Sequence, residues 1–282
     1  MNAVMMIGIY ICNLLQQVTS KDFNKKTGNR GVYAWSMALS LAAAAFFILT
    51  SGGKFDFSLK LGLYSLGFAS AYSLAVTCHV LALQYGSISL TTLIISYSLI
   101  IPTMYGMIFL DETPGGFLVI GLALLAVSLF FINFKKADSA VNGKWLFFSL
   151  LTFAGNGMCS TVQKMQQVAF DGACKNELMI LAMIISAVIM GIFALLSKNE
   201  SAIGLRCGWY LAVLFGIVNG ALNMLVMLLG EKMAASVMFP LISAGGIIIS
   251  GILSLFIYKE KLSTMQWIGI VFGLVSIVFL NI

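Results

Sequence analysis

The sequence predicts an all-α integral membrane protein of ten transmembrane helices, arranged as two inverted five-helix repeats. Hydrophobic residues make up 60% of the chain and charged residues 9%, and the mean hydropathy is +1.01, far outside the soluble range. The apolar runs reach the roughly 20 residues that a helix needs to cross hydrocarbon. Residues 257–282 also repeat residues 109–134 at a fixed offset of 148, without a gap.

Seven of the twenty-six pairs in this repeat are identical: Glu112/Glu260, Ile120/Ile268, Gly121/Gly269, Val127/Val275, Ser128/Ser276, Phe131/Phe279 and Asn133/Asn281. Matches of Ile and Val count for little in a chain this apolar, whereas Glu, Gly, Ser and Asn in register count for more. Each copy is an apolar helix, a short charged turn holding a glutamate, and a second apolar helix that ends on Asn.

The spans follow in order as 3–19, 31–50, 61–83, 87–110, 115–134, 145–166, 176–197, 208–230, 234–257 and 265–282. The first lacks the basic flank and small-residue cleavage site of a signal peptide and reads as a retained helix. Three prolines in 282 residues suit long helices. The longest connection, residues 20–31, leaves no room for a soluble domain. The chain therefore divides into a first repeat at 1–134, a linker at 135–144 and a second repeat at 145–282. Five spans per half is an odd number, so the second half enters the bilayer from the opposite side. Helices 1 and 6 support the register: Cys12 and Gln16 match Cys159 and Gln163 at an offset of 147.

Polar residues are unevenly spread. Helices 2 and 7 carry little beyond Ser36, Ser40 and Ser186, and helices 5 and 10 little beyond Ser128, Ser276 and their terminal Asn. Uniformly apolar helices suit lipid, so these four are expected at the periphery, with the other six around a central cavity. Trp35, Trp145, Trp209 and Trp267 fall at the starts of helices 2, 6, 8 and 10, on one membrane face, and read as interfacial anchors.

The cavity candidates lie in stripes. Helix 6 places Asn156, Ser160, Gln163 and Gln167 on one face; helix 1 places Tyr10, Asn13 and Gln17 likewise, with Gln16 beside them. Helix 8 carries Asn219 and Asn223 one turn apart, and helix 3 carries Tyr72 and His79 seven residues apart. For a single residue the alternative is an interhelical hydrogen bond worth about 0.6–2 kcal/mol. Amide stripes that recur at matching repeat positions point instead to a wall facing the cavity. Tyr97, between Ser96 and Ser98 on helix 4, is open between the two readings. The small-residue surface of helix 9, with Ser236, Ser243, Ser250 and Ser254, reads as close packing. His79, the single histidine, is read first as a packing residue and second as a proton carrier. Lys164, near the end of helix 6, is expected to snorkel to the interface, and Glu231 and Lys232 to be interfacial charges.

Several function classes are excluded on composition. The net charge of +6 comes from loop lysines and is not a nucleic-acid footprint. The five cysteines have no CxxC spacing, so neither a metal site nor a disulfide is expected. The ten acidic residues all fall in loops or at helix ends, which argues against intramembrane transferase chemistry. No cofactor is expected.

The two five-span halves, each closed by a Glu-bearing turn at FLDETPGG (residues 109–116) and IYKEKLST (residues 257–264), resemble the drug/metabolite transporter superfamily, and within it the EamA-like family of bacterial ten-helix carriers. Both turns lack the glycine that precedes Glu in that family's motif. The resemblance implies a non-enzymatic carrier in the bacterial inner membrane, often exporting amino acids, with the cavity between its halves. A membrane receptor or a lipid scramblase is the alternative. Related small multidrug carriers use a membrane-embedded glutamate in their first helix; here that stretch offers Asn13, Gln16 and Gln17. Amides neutralise a bare cation poorly, so the cargo is expected to be neutral or zwitterionic. The oligomeric state is not legible.

The orientation stays open between two arguments. Alternate loops divide the 16 basic residues 11 to 5, which by the positive-inside rule puts both termini outside; the resemblance implies both inside. Ten spans require only that the termini share a side. Cysteines introduced at Ser139 and at Ile282 should therefore label from opposite faces of the membrane; labelling from the same face would refute the span count.

Overall fold

A computed structural model describes residues 2–281 apart from 29, 54, 86–94, 96, 113–114, 134–142 and 257–263. Among the described residues all regular structure is helical. The helices are α1 (Asn2–Thr27), α2 (Val32–Thr50), α3 (Leu59–Tyr85), α4 (Ile100–Phe109), α5 (Gly116–Asn133), α6 (Gly143–Ala169), α7 (Lys175–Leu196), α8 (Lys198–Gly230), α9 (Ala235–Phe256) and α10 (Thr264–Asn281). A 3-10 turn at Tyr97–Leu99 leads into α4. Six of them, α1, α2, α3, α6, α7 and α8, are long and apolar enough to cross a membrane, and the other four supply shorter apolar helices among the described residues.

Two helices outrun their expected spans. α1 continues through Lys25 and Lys26 to Thr27, and α8 begins at Lys198, ten residues before the apolar stretch expected at 208. Hydropathy marks where a helix meets lipid, whereas its backbone hydrogen bonds continue into water until a terminator intervenes. After α1 the terminator is a pair of left-handed glycines, Gly28 (φ 61°) and Gly31 (φ 73°).

α3 packs along α6 and α1 along α8, while α2 lies in the angle between α7 and α8. The largest buried cluster brings together Phe47 of α2, Phe68 of α3, Cys159 of α6, Met179 and Met183 of α7, and Met227 of α8. Close approach of α3 and α6 depends on Gly155, where a side-chain carbon would stand 2.8 Å from the Ala71 carbonyl oxygen.

This packing corrects the expectation that α2 and α7 are peripheral. Both are buried along much of their length, and their few serines meet in the interior: Ser186 lies 3.5 Å from Ser40 and 3.1 Å from Ser73, joining α7 to α2 and α3. In a membrane an apolar surface fits a neighbouring helix as well as it fits lipid, so apolarity did not separate the two fates. The tryptophans divide similarly. Trp209 and Trp267 are exposed, but Trp145 is buried, and Trp35 is buried with its ring stacked 4.5 Å from Phe23.

α5 and α10 pair with each other. Ser128 donates to the Gly269 carbonyl at 2.6 Å, and Ser276 donates to the Gly121 carbonyl at 2.9 Å. These are the Ser and Gly pairs matched by the repeat, each serine reaching the glycine of the other copy. Ser128→Ala and Ser276→Ala should each destabilise the fold by about 0.6–1.7 kcal/mol, by similar amounts. Unfolding titrations in detergent test this, and a cost confined to one serine would contradict the equivalence of the two bonds.

Candidate functional site

Four helices bring a row of amide heads together. Gln16 of α1 donates through Nε2 to Asn219 Oδ1 of α8 at 3.2 Å. One turn along α8, Asn223 donates to the Asn219 backbone carbonyl at 2.8 Å and lies 3.3 Å from Asn219 Oδ1. Gln163 of α6 donates to Asn223 Oδ1 at 2.7 Å. Asn219 Nδ2 in turn donates to the Tyr72 hydroxyl of α3 at 3.4 Å. Five of the candidates read from the sequence therefore form one connected seam linking α1, α3, α6 and α8. Its bonding heads are amides and one phenol.

Below the seam, α6 and α8 are laced together. Gln167 donates to the Met227 carbonyl at 2.8 Å, and Lys164 Nζ donates to the Gly230 carbonyl at 3.0 Å. Lys164 is 8% exposed, so the expected snorkelling is corrected. α8 ends at Gly230, and its unpaired terminal carbonyls offer the ammonium a partner at that depth and the favourable end of the helix dipole.

The same turn is held from the other side by Glu112. Its Oε1 accepts from the Ala235 N–H at 2.9 Å and its Oε2 from the Ser236 N–H at 2.8 Å, capping α9. Asp111 before it is left-handed (φ 51°), which Asp tolerates better than most side chains. Gly106 on α4 leaves room for the carboxylate. The repeat singled out Glu112, yet not its partner, because a capping bond across 123 residues has no local signature. Its repeat mate Glu260 lies outside the described residues. Lys175 and Glu231 form an ion pair at this end of the bundle.

The remaining candidates separate from the seam. Asn156 donates to Ser98 Oγ at 2.7 Å, joining α6 to the 3-10 turn. Tyr97 donates to the Ala126 carbonyl of α5 at 3.0 Å and lines a small, mainly apolar cavity of about 130 Å³ between α4, α5 and α9, with Thr103, Met104 and Pro240. Tyr10 donates to the Leu241 carbonyl at 2.9 Å, against Gly245 of α9. Asn13 and His79 are partly exposed within their helices. The side chains of Gln17, Ser250 and Ser254, and all of Ser96, lie outside the described residues. Among the described residues no group of His, Cys, Asp and Glu is placed to hold a metal.

Residues 143–282 match the model of the EamA-like transporter family. An uncharacterised protein of Haemophilus influenzae is 27% identical over 188 residues, which are 64% of this chain and 62% of that relative, so the match spans less than two thirds of the relative's length. A solved crystal structure of another protein superposes with a TM-score of 0.79 over 99% of this chain and 98% of that chain at 12% identity, which shows a shared fold.

Removal of the α9 cap has a readable consequence. Glu112→Ala should cost about 0.5–2 kcal/mol of stability, the usual range for a lost helix N-cap. Glu112→Gln keeps one acceptor oxygen and should cost less. A Glu112→Ala variant as stable as wild type in a detergent unfolding titration would remove Glu112 from this role.

Proposed function

The chain belongs to the EamA-like transporter family, part of the drug/metabolite transporter superfamily, and from that premise we propose that it carries small neutral or zwitterionic, amino-acid-like metabolites across the bacterial inner membrane, with export as the favoured direction. The family makes it a membrane transporter of the drug/metabolite type. The finer proposal is alternating access between inverted halves, residues 1–134 and 145–282, with five spans each.

The observation that carries this proposal is the amide seam. It joins α1 and α3 of one half to α6 and α8 of the other through Gln16, Asn219, Asn223, Gln163 and Tyr72. Interhelical hydrogen bonds in membrane proteins average about 0.6 kcal/mol, close to the thermal energy, so opening one shifts a population only about threefold. A cargo that supplies equivalent bonds can take their place at little cost. A buried ion pair at the same position would resist that exchange far more strongly. The reciprocal bonds of Ser128 and Ser276 support inverted halves, since a two-fold axis between α5 and α10 produces such an exchange.

No described carboxylate bonds to the seam, so we assign transport without a central carboxylate relay. His79, two turns beyond Tyr72 on α3, is then the candidate for any proton coupling.

Purified protein in vesicles should show saturable flux of labelled neutral amino acids, and Gln16→Leu and Gln163→Leu should each reduce it while leaving membrane insertion intact. Normal flux in both variants would sink the assignment of the seam. Flux measured between about pH 5.5 and 8 in wild type and His79→Gln tests the coupling role. A steep pH dependence that survives the substitution would place the coupling group elsewhere.

A further inference from the structure

Gln16 and Gln163 occupy matched positions in the sequence repeat, but their surroundings differ. Resting on the carrier reading, we infer that the pair is functionally one-sided: Gln16, together with Tyr72, contacts the cargo, while Gln163 is a positioning residue that keeps α6 fastened to α8.

Gln163 is 3% exposed and donates to Asn223 at 2.7 Å, with Met179 Sδ 3.8 Å from the same nitrogen. It is also one rung of a ladder. Lys164 to the Gly230 carbonyl and Gln167 to the Met227 carbonyl follow it along the same two helices. Withdrawing Gln163 towards a cargo would leave Asn223 Oδ1 without this donor in a buried position, inside a contact that its neighbours hold shut.

Gln16 has no such ladder. It is partly exposed, and its bond to Asn219 is longer at 3.2 Å. Of the interhelical bonds flanking it on α1 the nearer, from Tyr10, goes to α9, while the other bond to α8, from Lys26 to Tyr210, lies at the far end of the helix. Its Oε1 takes no hydrogen bond from a described residue. Tyr72 accepts from Asn219 Nδ2 at 3.4 Å and keeps its own proton to donate. Asn219 sits between them: its Oδ1 accepts from Gln16 and Asn223, and one of its two Nδ2 hydrogens serves Tyr72. Among the described residues, the groups left over around Asn219 are thus an acceptor on Gln16, a donor on Tyr72 and the second amide hydrogens of Gln16 and Asn219. They fit a head group that presents a hydrogen-bond donor and an acceptor on nearby atoms, whereas an aprotic one would leave the Gln16 acceptor without a partner.

The experiment pairs flux with thermal stability. Vesicles containing wild type, Gln16→Leu, Tyr72→Phe or Gln163→Leu are assayed with a mixture of radiolabelled neutral amino acids, and Tm is measured for each variant and for Gln163→Leu/Asn223→Leu. Gln16→Leu and Tyr72→Phe should raise KM about tenfold, as one lost hydrogen bond of ordinary strength does. Tm should be unchanged in Gln16→Leu, where Asn219 Oδ1 still accepts from Asn223, and lowered in Tyr72→Phe, where Asn219 Nδ2 loses its acceptor. Gln163→Leu should lower Vmax at unchanged KM and lower Tm by about 2–4 °C, because it leaves Asn223 unpaired. The double variant removes both heads and should regain Tm. The inference is overturned if Gln163→Leu raises KM with Tm unmoved, or if Gln16→Leu lowers Tm as much as Gln163→Leu does. Wild-type vesicles without flux would instead sink the carrier reading, and the Tm comparison would still decide whether the two glutamines differ.

Discussion

Hydrocarbon offers no partner to a polar group, so a hydroxyl or amide placed inside a membrane helix has to find one on its own backbone or on another helix. The packing of this bundle follows that requirement. Ser65 of α3 reaches the Leu178 carbonyl of α7 at 3.2 Å, Ser186 bridges α2 and α3, and Ser128 and Ser276 each cross between α5 and α10. The lipid-soluble bulk of the chain fills the space between these points without selecting neighbours, because one apolar helix surface resembles another. Polar heads and glycines such as Gly155 choose which helices touch.

The same requirement gives the seam its dual character. An amide is polar enough to demand a partner and uncharged enough to exchange it, so Gln16, Asn219, Asn223 and Gln163 hold four helices together through bonds of modest strength. Charge is kept for places where a helix terminus can receive it. Glu112 meets the first N–H groups of α9, and Lys164 meets the last carbonyl of α8. The two side chains pin one tight turn from opposite ends, and each neutralises backbone groups that neither lipid nor the helix itself can satisfy.

The helical membrane architecture was legible from hydropathy alone, since a span of some 20 apolar residues has few other stable forms in water or in lipid. Helix ends were less legible: α8 runs through Arg206 and back to Lys198 because polarity ends a span without ending a helix. The peripheral placement of α2 and α7 failed for a related reason. Their serines looked too few to matter, but Ser40 and Ser186 were sufficient to anchor both helices in the interior.

In the candidate site, the sequence by itself determined which residues carry hydrogen-bonding heads and which positions correspond between the two copies. Chemistry and spacing are local properties, and a repeat can be read from a single chain. Partnership is not local. That Gln163 answers to Asn223 while Gln16 answers to Asn219, that Lys164 turns inward to Gly230, and that Asn156 leaves the seam for Ser98 were decided only by the tertiary structure. The physical reason is that an amide on a helix face can bond to whatever head the packing brings within about 3 Å, and the packing is set by all the helices at once.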